Sequence, residues 1–234
     1  AIAVLRDIPG LLVACPSNGA DGVGLLQEAV RLADKEQRVV VVIEPIALYH
    51  TRDLLDEGDR QWCHVDPGPE HHLAVGEPGV WGEGRELAII SYGNRVYRSR
   101  QAAASLEAEG IALRIIDLRW LTAIDHGAVL RSVADCAQVL LVDECRRSGS
   151  LSEELMANLV ERGMPGDRLH RLTARDSFIP LGRAATLTLP TWAIGTGIVG
   201  VLALLGVAGR QPDKPVISRY VAVQHQRPVT STEI

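Results

Sequence analysis

Five consecutive β-branched residues, VVVVI at positions 39–43, limit the fold of this chain more than any other stretch. β-Branched residues at every position, instead of at alternate ones, suit a strand that is buried on both faces of a parallel sheet. An apolar run at 11–15 and a helical repeat over 21–34 precede this strand. The sequence therefore predicts a strand–helix–strand unit near the start of the chain.

The second half of the chain repeats this alternation more regularly. Strands are predicted at 87–92, 112–118, 138–143 and 169–173, and helices at 95–109, 125–133 and 150–162. Because helices alternate with strands, the predicted fold class is α/β, with a parallel or mostly parallel sheet and flanking helices. Ser150 and Glu153 have the spacing of a capping box, and Gly163 ends that helix.

Between the two regions the pattern is lost. Residues 45–86 are dense in Gly, Pro, Asp and His and show no sustained period, which is typical of a linker or a functional loop. We therefore expect residues 1–50 to be the end of one α/β domain, 51–86 a linker and 87–190 a second domain. Residues 191–234 are predicted to form an atypical tail.

The first part of that tail is apolar. Residues 191–209 carry no charge, and a helix of this length, at about 1.5 Å per residue, comes close to the thickness of a bilayer. Five glycines interrupt the run, and each weakens a helix by about 0.8–1 kcal/mol relative to alanine. We therefore expect an apolar segment that packs on the domain or on a partner, and no membrane span. Residues 214–234 are expected to be irregular.

Charge and cysteine content argue against several classes of function. The net charge is −5 and the pI is about 5.8, so the chain lacks the basic footprint of a nucleic-acid-binding protein. The four cysteines form no Cys-x-x-Cys pair and have no histidine at metal-ligand spacing. A reducing cytoplasm is the expected location. The first ten residues, which include Arg6, Asp7 and Pro9, do not have the pattern of a signal peptide.

Two strand ends carry residues suited to binding. Residues 91–94, SYGN, end one strand and open a helix, where backbone amides and the helix dipole suit an anion. Backbone geometry alone also explains a glycine at such a turn. Asp143, Glu144, Arg146 and Arg147 follow a later strand. Open α/β sheets bind ligands or partners at this end, and an ion-pair network at a subunit contact is an equal alternative. We predict these four residues as an interface.

Other candidate sites have less specific patterns. His71 and His72 suggest a metal, but adjacent side chains point in different directions and a third ligand at a known spacing is missing, so exposed loop histidines are the alternative. Residues 176–182, DSFIPLG, contain the only Phe close to a Pro and predict a fixed, buried loop. The sequence has no Gly-x-Ser-x-Gly elbow, Walker loop or Gly-x-Gly-x-x-Gly motif.

Four stretches, taken in order, resemble one known family. They are DIPGLLVACPS at 7–17, VIEPIALY at 42–49, IDLRWL at 116–121 and VDECRRSG at 142–149. Together with the loop at 176–182 and LTLP at 187–190, they are similar to the beta subunit of the decarboxylating components of thiamine-diphosphate-dependent 2-oxoacid dehydrogenases. The resemblance covers about residues 1–190.

The resemblance implies the end of a pyrimidine-binding domain followed by a transketolase-like carboxyl-terminal domain. It also implies thiamine diphosphate and Mg²⁺ as cofactors, shared with a partner chain or with a missing region. The family's activating Glu and the His of its His-Ser-Gln stretch lie upstream of the stretch at 7–17, so we assign no catalytic, cofactor-binding or metal-binding residue. A structural cation of the family would fall near Asp34, but residues 32–38 are lengthened there and the site is not carried over. After residue 190 the sequence departs from the family.

From this resemblance we expect a beta-subunit-like portion of a 2-oxoacid dehydrogenase that is incomplete on its own. The implied reaction is oxidative decarboxylation with acyl transfer to lipoamide. The implied partners are an alpha-type subunit, a second copy of the chain and a lipoyl acyltransferase core. Two alternatives stay open: a fragment of an enzyme like transketolase or deoxyxylulose-phosphate synthase, and a non-catalytic assembly or dimerisation domain.

Overall fold

The computed structural model describes residues 2–107 and 110–177. The elements in chain order are α1 (Ile2–Arg6), β1 (Leu12–Ala14), α2 (Gly19–Glu36), β2 (Val40–Val42), β3 (Gly79–Trp81), β4 (Leu87–Ser91), α3 (Asn94–Glu107), β5 (Leu113–Asp117), α4 (His126–Val133), β6 (Gln138–Arg146), α5 (Leu151–Glu161) and β7 (Leu169–Ala174). Short 3-10 helices occur at Ile46–Leu48 and Gly166–Arg168. The predicted tail at 191–234 and most of the loop at 176–182 lie outside the described residues.

The first unit is the predicted strand–helix–strand arrangement. β1 and β2 are parallel, with Leu12 opposite Val40, and α2 connects them. α2 starts earlier than the sequence predicts because the Asn18 side chain accepts a hydrogen bond from the Asp21 amide at 3.0 Å and caps the helix. The other edge of β1 faces the second unit, where Leu121 donates its amide to the Val13 carbonyl at 2.7 Å.

The prediction of a strand buried on both faces is wrong for β2. All three of its residues are only half-buried, and the preceding Val39 is 66% exposed. The physical reason lies in the sheet, because β2 pairs only with β1 among the described residues. A β-branched run that matches a central strand therefore occupies an edge of the two-stranded sheet within the described part of the chain.

The second unit is a five-stranded sheet in the order β3-β5-β4-β6-β7. β4, β5, β6 and β7 are parallel, and β3 is antiparallel to β5, so the predicted mostly parallel α/β fold is confirmed. The sequence prediction misses β3, which lies inside the stretch at 51–86 predicted as a linker. Its three residues are too few to show a strand period.

Helices and the connecting segment cover the two faces of this sheet. On one face the sheet packs against residues of α4 and α5, including Val129 and Leu155. On the other face Ile89 and Ile115 pack with Val96 of α3 and with Trp62. Because Trp62 belongs to the stretch predicted as a linker, that stretch contributes to the core.

An aromatic cluster holds this stretch against α3. The rings of Trp62 and Tyr97 meet edge to face with centroids 4.9 Å apart. The Arg100 guanidinium lies 4.3 Å from the Trp81 ring centroid and 5.7 Å from that of Trp62, which is a cation–π arrangement. Burial lowers the pKa of Arg100 from its usual value. The cluster fixes the path of the chain between the two units.

The start of α5 differs in detail from the predicted capping box. Ser150 occupies the N-cap position, but its hydroxyl makes no capping bond. Glu153 instead accepts from the Gly149 amide at 2.6 Å, and Asp143 accepts from the Ser152 amide at 3.0 Å. A carboxylate from β6 thus replaces the expected serine hydroxyl. No helix within the described part of the chain is long and apolar enough to cross a membrane.

Candidate functional site

Asp117, the last residue of β5, connects the two units. The Ser17 hydroxyl donates to one carboxylate oxygen of Asp117, and the Arg119 amide donates to the other at 3.2 Å. Asn18 in turn donates its side-chain amide to the Ser17 hydroxyl at 3.2 Å. Ser17 and Asp117 have no exposed surface, so these contacts lie inside the protein at the carboxyl ends of β1 and β5. We call Ser17, Asn18 and Asp117, together with the ion pair of Asp21 and Arg119, the polar joint.

An ion pair extends the same joint. Nε and Nη2 of Arg119 donate to the two carboxylate oxygens of Asp21, both at 2.9 Å. Arg119 has a backbone φ of 58°, a left-handed conformation that is unfavourable for a residue with a Cβ. A Cβ on Gly79 would lie 2.9 Å from the Arg119 guanidinium carbon, so β3 fits closely against this side chain. The pair fixes the first turn of α2 relative to the second sheet.

Burial changes the protonation of the joint. It raises the pKa of Asp117 to about 7, although the Ser17 hydrogen bond acts in the opposite direction. Burial also raises the pKa of the Cys15 thiol to about 12, and the nearby Asp117 adds to this effect. Cys15 is therefore a neutral thiol at physiological pH, which argues against a role as nucleophile.

A cleft of about 440 Å³ lies at the carboxyl ends of β1 and β2. Its size is in the range of small-molecule sites. The amino-terminal end of α2, around Asn18, forms one wall and the buried Trp62 another. The cleft is lined by Pro16, Ser17, Asn18, Gly19, Gly22, Leu26, Val42, Glu44, Pro45, Leu48, Tyr49, Thr51, Trp62, Cys63 and His64.

The polar groups of this cleft lie among apolar ones. The Tyr49 hydroxyl donates to Glu44, and this hydrogen bond raises the pKa of Tyr49. Burial lowers the pKa of His64 from 6.5, so its imidazole is neutral at pH 7. The cleft thus combines apolar walls with a carboxylate, a phenol and a neutral imidazole.

The SYGN turn at 91–94 matches the explanation from backbone geometry. Gly93 has a φ of 52°, and a Cβ there would lie 2.9 Å from the Cys15 sulfur. The amides of Arg95 and Val96 already donate to carbonyls of the turn. These two donors are therefore not available to an anion. The turn serves instead as a close contact between the two units.

Asp143, one of the predicted interface residues, lies inside the protein. It is 1% exposed, and its carboxylate accepts from the Tyr92 hydroxyl at 2.6 Å and from the Cys145 amide at 2.9 Å. It also accepts from the Ser152 amide at the start of α5. Burial and this carboxylate raise the pKa of Tyr92 well above its ordinary value. Asp143 therefore joins β4, β6 and α5.

The other three predicted interface residues differ in exposure. Glu144 is half-buried, and its carboxylate lies 2.8 Å from Nη2 of the fully buried Arg95. Arg146 and Arg147 are exposed. The structure thus does not bring the four residues into one surface network, and their role in an interface stays a prediction.

The two adjacent histidines take different positions. His72 Nδ1 lies 3.3 Å from Glu28, while His71 packs on Gly24, where a Cβ would lie 2.7 Å from its ring. Asp34 is exposed and pairs with Lys35 at 2.7 Å. Within residues 2–107 and 110–177, no group of three or more His, Cys, Asp or Glu side chains is arranged to hold a metal ion.

Sequence reasoning did not single out the residues of the polar joint. Ser17, Asp117 and Arg119 all lie in stretches that carry the family resemblance, which was the available signal. Their partnership was not visible because the contacts join residues about a hundred positions apart.

Comparison with known proteins agrees with this architecture. The sequence pattern of the transketolase C-terminal domain family matches residues 79–189, which begins at the first residue of β3. The beta subunit of the pyruvate dehydrogenase E1 component from Staphylococcus aureus is 31% identical over 189 residues, which cover 80% of this chain and 54% of that protein. Its counterpart from Staphylococcus epidermidis is 30% identical over the same shares. The chain thus spans about half the length of these relatives.

A solved structure is similar in fold. A split-gene transketolase, in an inactive beta4 tetramer, superposes with a TM-score of 0.62 at 21% identity, over 87% of this chain and 61% of that chain. The expected resemblance and fold class are both confirmed. Residues 79–189 match the transketolase C-terminal domain family, and the chain is similar to the beta subunits of pyruvate dehydrogenase E1 components.

Proposed function

We propose that this chain is a beta-subunit-like portion of a thiamine-diphosphate-dependent 2-oxoacid dehydrogenase. The observation that carries the proposal is the identity of 31% over 189 residues, because this match covers 80% of the chain. The reaction proposed for the whole protein is oxidative decarboxylation of a 2-oxoacid with acyl transfer to lipoamide.

The outer edge of the two-stranded sheet supports the proposal that another chain or segment packs beside it. Val40 and Val42 of β2 are half-buried, and the outer edge of β2 has no partner strand among the described residues. Parallel sheets are normally covered on both faces and contain more strands than two. We infer that another chain, or another segment of the same protein, completes this sheet.

The cofactors would be held mainly outside the described residues. Thiamine diphosphate supplies the electron sink for decarboxylation when it is bound. The described residues do not fit the Mg²⁺ of such a site, since they contain no cluster of acidic or histidine ligands. In our proposal an alpha-type subunit or a missing region provides the ligands of the metal and the diphosphate.

The cleft at the carboxyl ends of β1 and β2 is our candidate for part of the channel through which a substrate reaches the active site. Trp62 and Leu48 give it apolar walls, and His64 adds a neutral polar group. An uncharged arm such as lipoamide is compatible with this lining. The residues of the polar joint would hold the α2 wall in place, because Asp21 lies in the first turn of that helix.

The proposed partners are an alpha-type subunit, a second copy of the chain and a lipoyl acyltransferase core. The proposed location is the cytoplasm. All four cysteines are free, as expected in a reducing compartment.

Mixing with an alpha-type chain tests the proposal. We expect the mixture, and neither chain alone, to decarboxylate a 2-oxoacid in the presence of thiamine diphosphate and Mg²⁺, measured by reduction of an artificial electron acceptor. An Arg119→Ala variant should restore less activity, because it removes the ion pair with Asp21 that holds the first turn of α2. Lys35→Ala should match the unmodified chain. Association with an alpha-type chain without any activity would argue for a non-catalytic assembly domain.

A transketolase-like function is the second candidate. It is favoured by the family match over residues 79–189, which is shared with transketolases. Co-purification with a lipoyl acyltransferase core supports the dehydrogenase, whereas transfer of a two-carbon ketol group between sugar phosphates supports the alternative.

A further inference from the structure

The turn at the end of β6, residues 146–149, is held by several hydrogen bonds. The Asp176 carboxylate accepts from the amide and the hydroxyl of Ser148, at 2.9 and 2.6 Å. Nε of Arg146 donates to the Ser148 carbonyl at 2.9 Å. Gly149 has a φ of 64°, which favours glycine at this position. The backbone of the turn is therefore ordered before any partner binds.

Three exposed arginines lie on this ordered turn and at the end of β7. Arg146 and Arg147 at the end of β6, and Arg175 directly after β7, are exposed, and none of them forms an ion pair within the described residues. Arg146 lies opposite Ala174 in the register of the two strands. Since neighbouring strands are about 4.8 Å apart, the three side chains start from one small area. We call Arg146, Arg147 and Arg175 the arginine patch.

The carboxylates near the patch are already engaged. Asp176 is bound by Ser148, and these hydrogen bonds, together with the weaker effect of the Arg146 charge, lower its pKa. Glu153 accepts from the Gly149 amide, and Glu144 pairs with Arg95. The arginine patch thus carries three positive charges that form no ion pair among the described residues, in a chain whose net charge is −5.

A wide surface cleft adjoins the patch. It has a volume of about 540 Å³. Its lining comes from exposed residues, namely Arg146, Ser148, Gly149, Asp176 and Ser177. An open cleft with exposed donors suits an extended segment of another protein better than a small anion, which is usually enclosed by buried donors.

We propose that the arginine patch is a docking surface for an acidic peptide segment of a partner protein. Guanidinium groups bind carboxylates through paired hydrogen bonds and are enriched at protein interfaces. The ordered backbone reduces the entropy lost on binding. A nucleic acid is disfavoured as the partner by the acidic character of the whole chain. This inference goes beyond the proposed function, since it does not depend on which reaction the protein catalyses.

Binding of a labelled decaglutamate peptide to the full chain tests the proposal. Fluorescence anisotropy at about 50 mM salt keeps the electrostatic attraction measurable. We expect saturable binding of decaglutamate and none of decaglutamine. The double variant Arg146→Glu/Arg147→Glu should weaken binding by about tenfold or more. The control Arg52→Glu/Arg60→Glu makes the same change in net charge at two other exposed arginines and should weaken it less than twofold.

Three results would overturn the proposal. They are failure of decaglutamate to bind, equal weakening by both double variants, and tighter binding of a ten-nucleotide single-stranded RNA than of the peptide. Circular dichroism verifies that the variants are folded. If the charge reversal unfolds the chain, Arg146→Gln/Arg147→Gln takes its place, with an expected weakening of about threefold. Reconstitution with an alpha-type chain is measured in a separate experiment. A failure to reconstitute activity therefore does not change the interpretation of peptide binding.

Discussion

Arg119 and Asp21, 98 residues apart in the sequence, meet through two hydrogen bonds of 2.9 Å each. The pair links the second sheet to the first turn of α2. It lies next to the buried contact between Ser17 and Asp117. The two units are thus joined by a polar network in addition to the apolar core, and this network can be tested by substitution.

Breaking the ion pair should destabilise the protein strongly. Arg119→Ala leaves the Asp21 carboxylate, which is only 6% exposed, without its counter-charge. Removal of one partner of a buried pair costs about 3–5 kcal/mol. Urea unfolding measures the loss. Lys35→Ala, which removes the exposed pair with Asp34, should change stability by less than about 1 kcal/mol. Similar losses for both variants would contradict the importance of the joint.

The pH dependence of stability should contain a contribution from Asp117. Its folded-state pKa of about 7 lies above the ordinary value of 3.8, so the folded state favours the protonated carboxyl. The contribution is fully present below about pH 4, is lost as the pH rises to about 7, and is constant above that.

Asp117→Asn should remove this dependence, because an amide does not titrate. Each pKa unit corresponds to about 1.4 kcal/mol, so the difference in unfolding free energy between variant and wild type should change by a few kcal/mol from pH 4 to pH 8. Urea unfolding at both pH values measures it. Parallel pH profiles for the two proteins would refute the raised pKa.

Gly93→Ala should destabilise the contact between the units. The new Cβ would lie 2.9 Å from the Cys15 sulfur, in a backbone with a φ of 52°. We expect a loss of about 2–4 kcal/mol from strain and overpacking. Gly58→Ala shares the positive φ but has open space around it, so its loss should be about 1 kcal/mol. Thermal unfolding compares the two, and equal losses would show that Cys15 does not restrict the site.

Asp143→Ala should reduce stability, since it leaves the Tyr92 hydroxyl and two backbone amides without an acceptor in the interior. We expect a loss of about 2–4 kcal/mol. Arg147→Ala, at an exposed side chain in the same stretch, should stay within about 0.5 kcal/mol of wild type. Denaturant unfolding of both variants shows whether Asp143 acts as a buried hydrogen-bond acceptor or as a surface residue. A small effect of Asp143→Ala would argue against the role as a buried acceptor.

Local patterns in the sequence were sufficient for the repeated elements of the fold. β4, β5 and β6 carry apolar runs, and α5 is preceded by Ser150 and followed by Gly163. A few residues are therefore enough to identify each element. The alternation of these elements then determines a mostly parallel sheet.

Contacts between distant residues could not be predicted in this way. β3 is a strand only because β5 pairs with it, and Trp62 is buried only because α3 and the second sheet lie against it. Asp143 illustrates the same limit for the site. A row of charges at a strand end suggests a surface, yet the carboxylate turns inward to bind the amide of Ser152.

A titration of the isolated chain with thiamine diphosphate and Mg²⁺, followed by calorimetry, tests the central claim most directly. We predict no saturable binding, because the chain is proposed to share its cofactor site with another chain or a missing region and its described residues contain no metal cluster. Saturable binding of thiamine diphosphate to the isolated chain, without any partner, would contradict the claim.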